Sequence, residues 1–283
     1  MTLTLQLPNQ MDVYPFDCKK IFYSHHASML YWVTNAGKFN KTSKFSPPKN
    51  SISNALKREK DISEHLKDVQ SEYISIPSWE LSSEGIPVII QEYLQEGDLL
   101  EYLMKFPNRG LKTATIFLDC IRNILPIFQA HNVSFGDFAL ENFMVQTDMD
   151  GYLNKLTLID YGQAVIFNET MKPEWNPKEY LNVRPYLLPP DMFTDYNNKC
   201  FMEIKDIQKL LLKKDMFVIG ILLYMILSGS ELWNLNTTPE IKIHDLIKHR
   251  SYWKNSINKD NTTSVQVIIF NILLGLLSVK MDD

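Results

Sequence analysis

The stretch SFGDFALENFMV, residues 134–145, decides how the chain is read. It holds an aspartate and an asparagine with four residues between them, Asp137 and Asn142. Phe143 to Val145 follow as a short apolar run, which reads as a strand. Eighteen residues beyond Asn142, the run LTLIDYG closes a second strand in Asp160. Residues 148–155, DMDGYLNK, supply the turn between them. Three oxygen-bearing side chains are thus set at the ends of two short strands.

Such a set meets the needs of phosphoryl transfer. That reaction requires in-line positioning and neutralisation of phosphate charge, mostly by Mg²⁺. Mg²⁺ takes hard oxygen ligands, so one carboxylate and one amide oxygen can hold it against a nucleotide. A separate carboxylate at the other end of the same loop can orient an attacking hydroxyl. The competing possibility is a polar loop without chemistry, and the flanking sequence arbitrates.

Upstream, residues 21–46 are strand-like but ragged, and SPPKNS at 46–51 excludes regular structure by its paired prolines. A helix follows with Ala55, Ile62, Leu66 and Val69 on its apolar side. Glu59 falls on the same side. A carboxylate facing inward needs a cationic partner; alternatively it sits at the stripe's edge and reaches water. Residues 86–106 give a buried strand, a turn at Glu96-Gly97 and a helix, and residues 112–130 a longer helix with Ile116, Phe117, Cys120, Ile121, Ile124 and Phe128 on one side. Downstream, 163–214 is proline-rich and irregular. The apolar run 216–227 predicts a core helix stopped at Ser228-Gly229, and a last helix is predicted over 265–279.

The chain of 283 residues, 45% hydrophobic, can bury a large core as one domain or two lobes. A net charge of −4 implies no strong attraction to nucleic acid or anionic lipid. The run Lys57, Arg58, Lys60 is expected to be a solvated helix face. Three scattered cysteines, Cys18, Cys120 and Cys200, lack metal spacing and fit a reducing compartment. The opening MTLTLQLPNQMD shows no signal-peptide pattern, and no apolar run is long enough for a membrane span. An intracellular location, cytoplasmic or nuclear, is the expectation.

The order of these features resembles the protein-kinase-like fold. GDFALEN and IDYG look like its catalytic and metal loops. VIIQEYLQEGDLLEYL resembles the hinge and the helix after it, RPYLLPPDMF the end of the activation segment, and KKDMFVIGILLYMILSG the central helix of the large lobe, led by Asp215. The similarity runs over roughly residues 20–279. It implies an α+β, bilobal fold: a small β-rich lobe over residues 1–92 and a larger, mainly helical lobe over 93–283. The sequence ends at LLSVKMDD, before the usual arginine partner of the Pro-Glu motif, so the large lobe is expected to be truncated.

By position, the resemblance makes Asp137 the catalytic aspartate, with Asn142 and Asp160 as Mg²⁺ ligands. Glu92 and Leu94 would offer backbone groups to the adenine of ATP. Glu59 would be the inward glutamate of the small-lobe helix, paired to a lysine on the preceding strand. Lys44 is the best candidate for that lysine, with Lys41 and Lys38 as rivals. The implied function is transfer of the ATP γ-phosphate to a protein serine or threonine hydroxyl, with a protein substrate or partner.

Departures from the pattern are specific. FYSHHASMLY, where a glycine-rich loop is expected, has no glycine. Gly136 replaces an arginine, Phe135 a histidine, and Ala139 the loop lysine that would stabilise the transferred phosphoryl group. Two alternatives follow: a weak or inactive pseudokinase acting as a binding scaffold, and a small-molecule phosphotransferase of the aminoglycoside or choline kinase type, suggested by Gly136-Asp137.

Overall fold

The structure, a computed structural model, describes residues 4–5, 14–15, 21–23, 29–35, 38–45, 54–81, 87–92, 94, 96–168, 174–175, 189, 192, 200–230, 232, 245, 248, 251 and 264–277. Strands β1 (Thr4–Leu5) and β2 (Tyr14–Pro15) pair with each other. The main sheet follows. It consists of β3 (Ile21–Tyr23), β4 (Met29–Asn35), β5 (Lys38–Phe45), β6 (Ser78–Leu81) and β7 (Pro87–Glu92), in the order β3-β4-β5-β7-β6, with every neighbour antiparallel. MLYWVT in β4 and PVII in β7 are the aromatic and β-branched segments that suit a pleated, half-buried surface. Between them lies the lysine-rich β5.

Helix α1 (Asn54–His65) is inserted between β5 and β6. Its inward side carries Glu59 and Ile62, and Leu66 lies buried just past its last residue. The helix stops short of Val69, which the apolar stripe had included. Ser63 Oγ donates to the Pro77 carbonyl at 2.6 Å, tying the helix to the lead-in of β6.

Past β7, Gly97 turns the chain at φ +83°, a conformation that glycine adopts without a Cβ penalty. Asp98 then caps α2 (Leu99–Lys105), accepting from Glu101 N at 2.9 Å. A short 3₁₀ turn leads into α3 (Gly110–Ala130). Ala114, Phe117, Cys120, Ile121, Ile124 and Phe128 are buried at helical spacing, while Ile116 is only partly covered.

The short strands β8 (Val133–Ser134), β9 (Phe143–Thr147), β10 (Leu153–Leu158) and β11 (Val165–Ile166) follow. β9 and β10 form a hairpin whose turn is held by Asp148, accepting from the amides of Asp150 and Tyr152. β8 pairs with β11, so the two ends of the intervening loops are pinned together. β12 (Glu174–Trp175) pairs with β13 (Cys200–Phe201).

Two helices complete the described chain, α4 (Ile204–Ser228) and α5 (Ser264–Leu276). The sequence predicted α4 only from residue 216. IKDIQKLLLKKD adds three further turns because Ile207, Leu211 and Lys214 already lie on a buried stripe. The helix ends as expected at Gly229, in the left-handed region, whose N–H bonds to the Met225 carbonyl at 2.9 Å. The last helix is shorter than its predicted span, 265–279.

The core gathers α3, α4, β9, β10 and α5. Residues before the main sheet's edge join it: Tyr73 and Ser75 exchange backbone hydrogen bonds with Leu158 at 2.8 and 3.0 Å, and Ile74 bridges to Leu158 in parallel. Sheet-forming segments first and helices later give a mixed arrangement compatible with the α+β class. Among the described residues no helix is long and apolar enough to cross a membrane.

Candidate functional site

The three oxygen-bearing residues singled out in the sequence converge through backbone pairing. Register in the hairpin sets Leu158 opposite Phe143, and Ile159 N donates to the Asn142 carbonyl at 2.9 Å. Asn142 and Asp160 therefore lie side by side where the two strands meet the loops. Asn142 Nδ2 donates to the Asp137 carbonyl at 2.8 Å, closing the loop between them. That bond engages the nitrogen end of the carboxamide and turns its oxygen the other way. Asp160 takes a positive φ of 66°, and its Oδ1 accepts from Gly162 N at 3.3 Å. Asp137, Asn142 and Asp160 are all half-buried. One amide oxygen and one carboxylate at adjacent positions are a hard-oxygen donor set that fits Mg²⁺.

Aromatic packing sets the loop's position. Phe135 stacks on Phe128 with centroids 5.9 Å apart, meets Tyr161 edge-on at 5.5 Å and contacts Phe138 at 4.8 Å. Phe138 in turn stacks on Phe143. Phe135, two residues before Asp137, Phe138, directly after it, and Tyr161, directly after Asp160, are thus bound into one apolar block against Phe128 of α3. Burial pushes the Tyr161 phenol well above its ordinary pKa, so it stays neutral at all relevant pH.

Beneath the loop, Asp215 Oδ2 accepts from Ser134 Oγ at 2.6 Å and from Gly136 N at 3.5 Å. Lys214 Nζ donates to the Gly136 carbonyl at 2.7 Å and lies 3.5 Å from Asp215 Oδ1. Lys214 is 0% exposed and Asp215 3%. Gly136 itself has φ +84°, and a Cβ there would run into the Gln163 carbonyl oxygen. Ala139 is buried and brings no charge to the loop.

Glu59 is 4% exposed, so it does not reach water from the stripe's edge. Its neighbour Arg58, expected on a solvated face, is half-buried and donates to Gln163 Oε1 at 3.1 Å. Helix α1 is thereby tied to the segment that follows Asp160. Lys57 and Lys60 keep to the outer side, Lys60 facing Glu64 at 3.4 Å.

Lys38, Lys41 and Lys44 all lie on β5, with Lys44 in register with Ile89 and Lys41 with Glu92. Glu92 ends β7 and Leu94 is half-buried just beyond it. The side chains of the three lysines and of Glu92 lie outside the described residues, as do His25, His26 and Asp191. Sequence reasoning missed Lys214, Ser134, Arg58 and Gln163. Lys214 had a signal: it is three residues after Leu211 and four before Val218, on the stripe that proves buried.

No family model matches the chain. It is 28% identical over 224 residues to a probable serine/threonine-protein kinase 2 of Plasmodium falciparum (isolate K1 / Thailand), a stretch covering 78% of this chain and 38% of that protein. The chain thus spans well under half the length of that relative. The similarity supports a distant, protein-kinase-like relationship.

Proposed function

We propose that the chain is a divergent protein kinase that transfers the γ-phosphate of ATP to a serine or threonine hydroxyl of a protein. The observation that carries this is the closure of one loop around Asp137, Asn142 and Asp160, through the bonds from Asn142 Nδ2 to the Asp137 carbonyl and from Ile159 N to the Asn142 carbonyl. The order of the main sheet, with a helix bearing a buried glutamate inserted before its last two strands, supports a bilobal kinase arrangement, as does the distant kinase relative.

In this reading Asn142 and Asp160 hold Mg²⁺, which neutralises phosphate charge. Asp137 accepts the proton of the attacking hydroxyl and orients its oxygen. Lys44, paired to Glu59, steadies the nucleotide phosphates. Glu92 and Leu94 present backbone groups to adenine. A scaffold that binds nucleotide with little turnover is the second reading. Ala139 favours it, because the loop lacks the cation that would stabilise the transferred group.

Thermal shift with ATP, with and without Mg²⁺, on wild type and Asp160→Asn tests the site. A ligand that binds only the folded chain stabilises it by about 2.7 kcal/mol at a hundred times its Kd. The expected result is a Mg²⁺-dependent rise in Tm that Asp160→Asn loses, followed by phosphotransfer to a peptide. Unchanged binding and activity in the variant would sink the metal role. Binding without transfer would move the assignment to the scaffold.

A further inference from the structure

We infer that Lys214 is a positioning residue that fixes the peptide leading into Asp137. Both backbone polar groups of Gly136 are taken by adjacent residues of α4: its N–H by Asp215 Oδ2 at 3.5 Å and its carbonyl by Lys214 Nζ at 2.7 Å. That carbonyl belongs to the Gly136–Asp137 peptide. Holding it sets the plane from which Asp137 starts. The carbonyl of Asp137 is held from the other side by Asn142 Nδ2 at 2.8 Å. Asp137 is therefore anchored at both of its flanking peptides by side chains from two different elements.

The chemistry argues for a specific role rather than incidental packing. An ammonium removed from water is costly unless it is paired and hydrogen-bonded. Lys214 is fully buried in a helix whose neighbours Leu211, Phe217 and Val218 are apolar, where a methionine would fill similar space. The ammonium is nearer the Gly136 carbonyl, at 2.7 Å, than the Asp215 carboxylate, at 3.5 Å. The carbonyl is thus its principal partner, and the carboxylate balances its charge. At Gly136 the backbone itself is the least restricted, because glycine ranges freely over φ. Gly136 has no side chain, and its φ of +84° is held by its surroundings. The positioning claim itself stands on this geometry; its effect on turnover rests on the kinase reading.

The test compares wild type with Lys214→Met by amide hydrogen exchange and by steady-state phosphotransfer to a peptide. Exchange over residues 134–142 is expected to quicken by roughly tenfold or more while β10 stays protected. The kcat is expected to fall on the order of a hundredfold, with the KM for Mg·ATP within about threefold, since small misplacement of a reacting group costs rate rather than binding. Unchanged exchange over 134–142 would overturn the inference, and so would loss of nucleotide affinity in step with kcat. Should Lys214→Met fail to melt cooperatively, the double variant Lys214→Met with Asp215→Asn removes both charges together. The same faster exchange is expected in it, and native-like protection would overturn the claim. A wild-type chain that transfers no phosphate counts against the kinase reading alone, because the exchange comparison still decides whether Lys214 holds the loop.

Discussion

Gly136 shows how much one position can depend on its backbone. Its φ of +84° suits glycine, and a Cβ would meet the Gln163 carbonyl oxygen. Gly151 has a similar φ of +72° with nothing within 4 Å of its would-be Cβ. The pair separates conformational strain from collision. Gly151→Ala should cost about 1 kcal/mol, and Gly136→Ala roughly 2–4 kcal/mol, read as the difference in urea midpoints. Equal losses would show that Gln163 yields. The approach of Asn142 to the residues around Asp160 was legible in the sequence, because a hairpin of two short strands brings their outer ends together. Lys214 and Arg58 were not. A lysine or arginine is by default a surface residue, and only burial reveals that Lys214 serves a carbonyl and Arg58 serves Gln163.

At the scale of elements, periodicity was a sound guide where one face is buried. Helices α1, α3 and α5 appear near their predicted spans, and the hairpin of β9 and β10 has its expected turn. The start of α4 was hidden because its first turns alternate lysine with isoleucine and leucine, which blurs the apolar stripe. β5 was expected only as part of the ragged, strand-like region 21–46, for another reason. KFNKTSKF has no alternation, and it is a strand because β4 and β7 pair with it on both sides. Tertiary pairing overrides local preference there. The contact of α4 with α5 runs through Gly220, where a Cβ would lie 2.9 Å from Leu276 Cβ. Gly220→Leu should overpack this seam and lower stability by roughly 1–3 kcal/mol despite better helix propensity, measured by thermal melting. A raised Tm would mean that the helices can separate without loss.

For the whole molecule, the sequence carried the order of strands and helices but not the ties between distant parts. Tyr73, Ile74 and Ser75 complete the edge of β10 through Leu158, although they precede β6 in the chain. Tyr73 also reaches α3, its hydroxyl donating to Asp119 at 3.1 Å. The loop after α1 thus belongs structurally with residues far downstream. Hydrophobic pattern does not report such pairing, since backbone groups leave no mark on side-chain order. A fragment of residues 93–283 would bare this edge of β10 and the apolar surface under Ile74 and Leu66. Its far-UV circular dichroism is expected to lose its signal gradually on heating, without the cooperative transition of the full chain; a sharp transition near the full-length Tm would contradict this.

The same tie shapes the route by which the chain reaches this arrangement. Glu72 and Thr157 meet across 85 residues, where the Thr157 hydroxyl donates to the Glu72 carbonyl. Closing a loop of that length costs roughly 4 kcal/mol of chain entropy before any contact rewards it. The β9–β10 hairpin needs only the short turn capped by Asp148. Local hairpin and helix are therefore expected to form first, with residues 72–75 docking on β10 later. Until then the edge of β10 is open to any passing strand, and a slow translation pause or a crowded refolding mixture would find its weakness there.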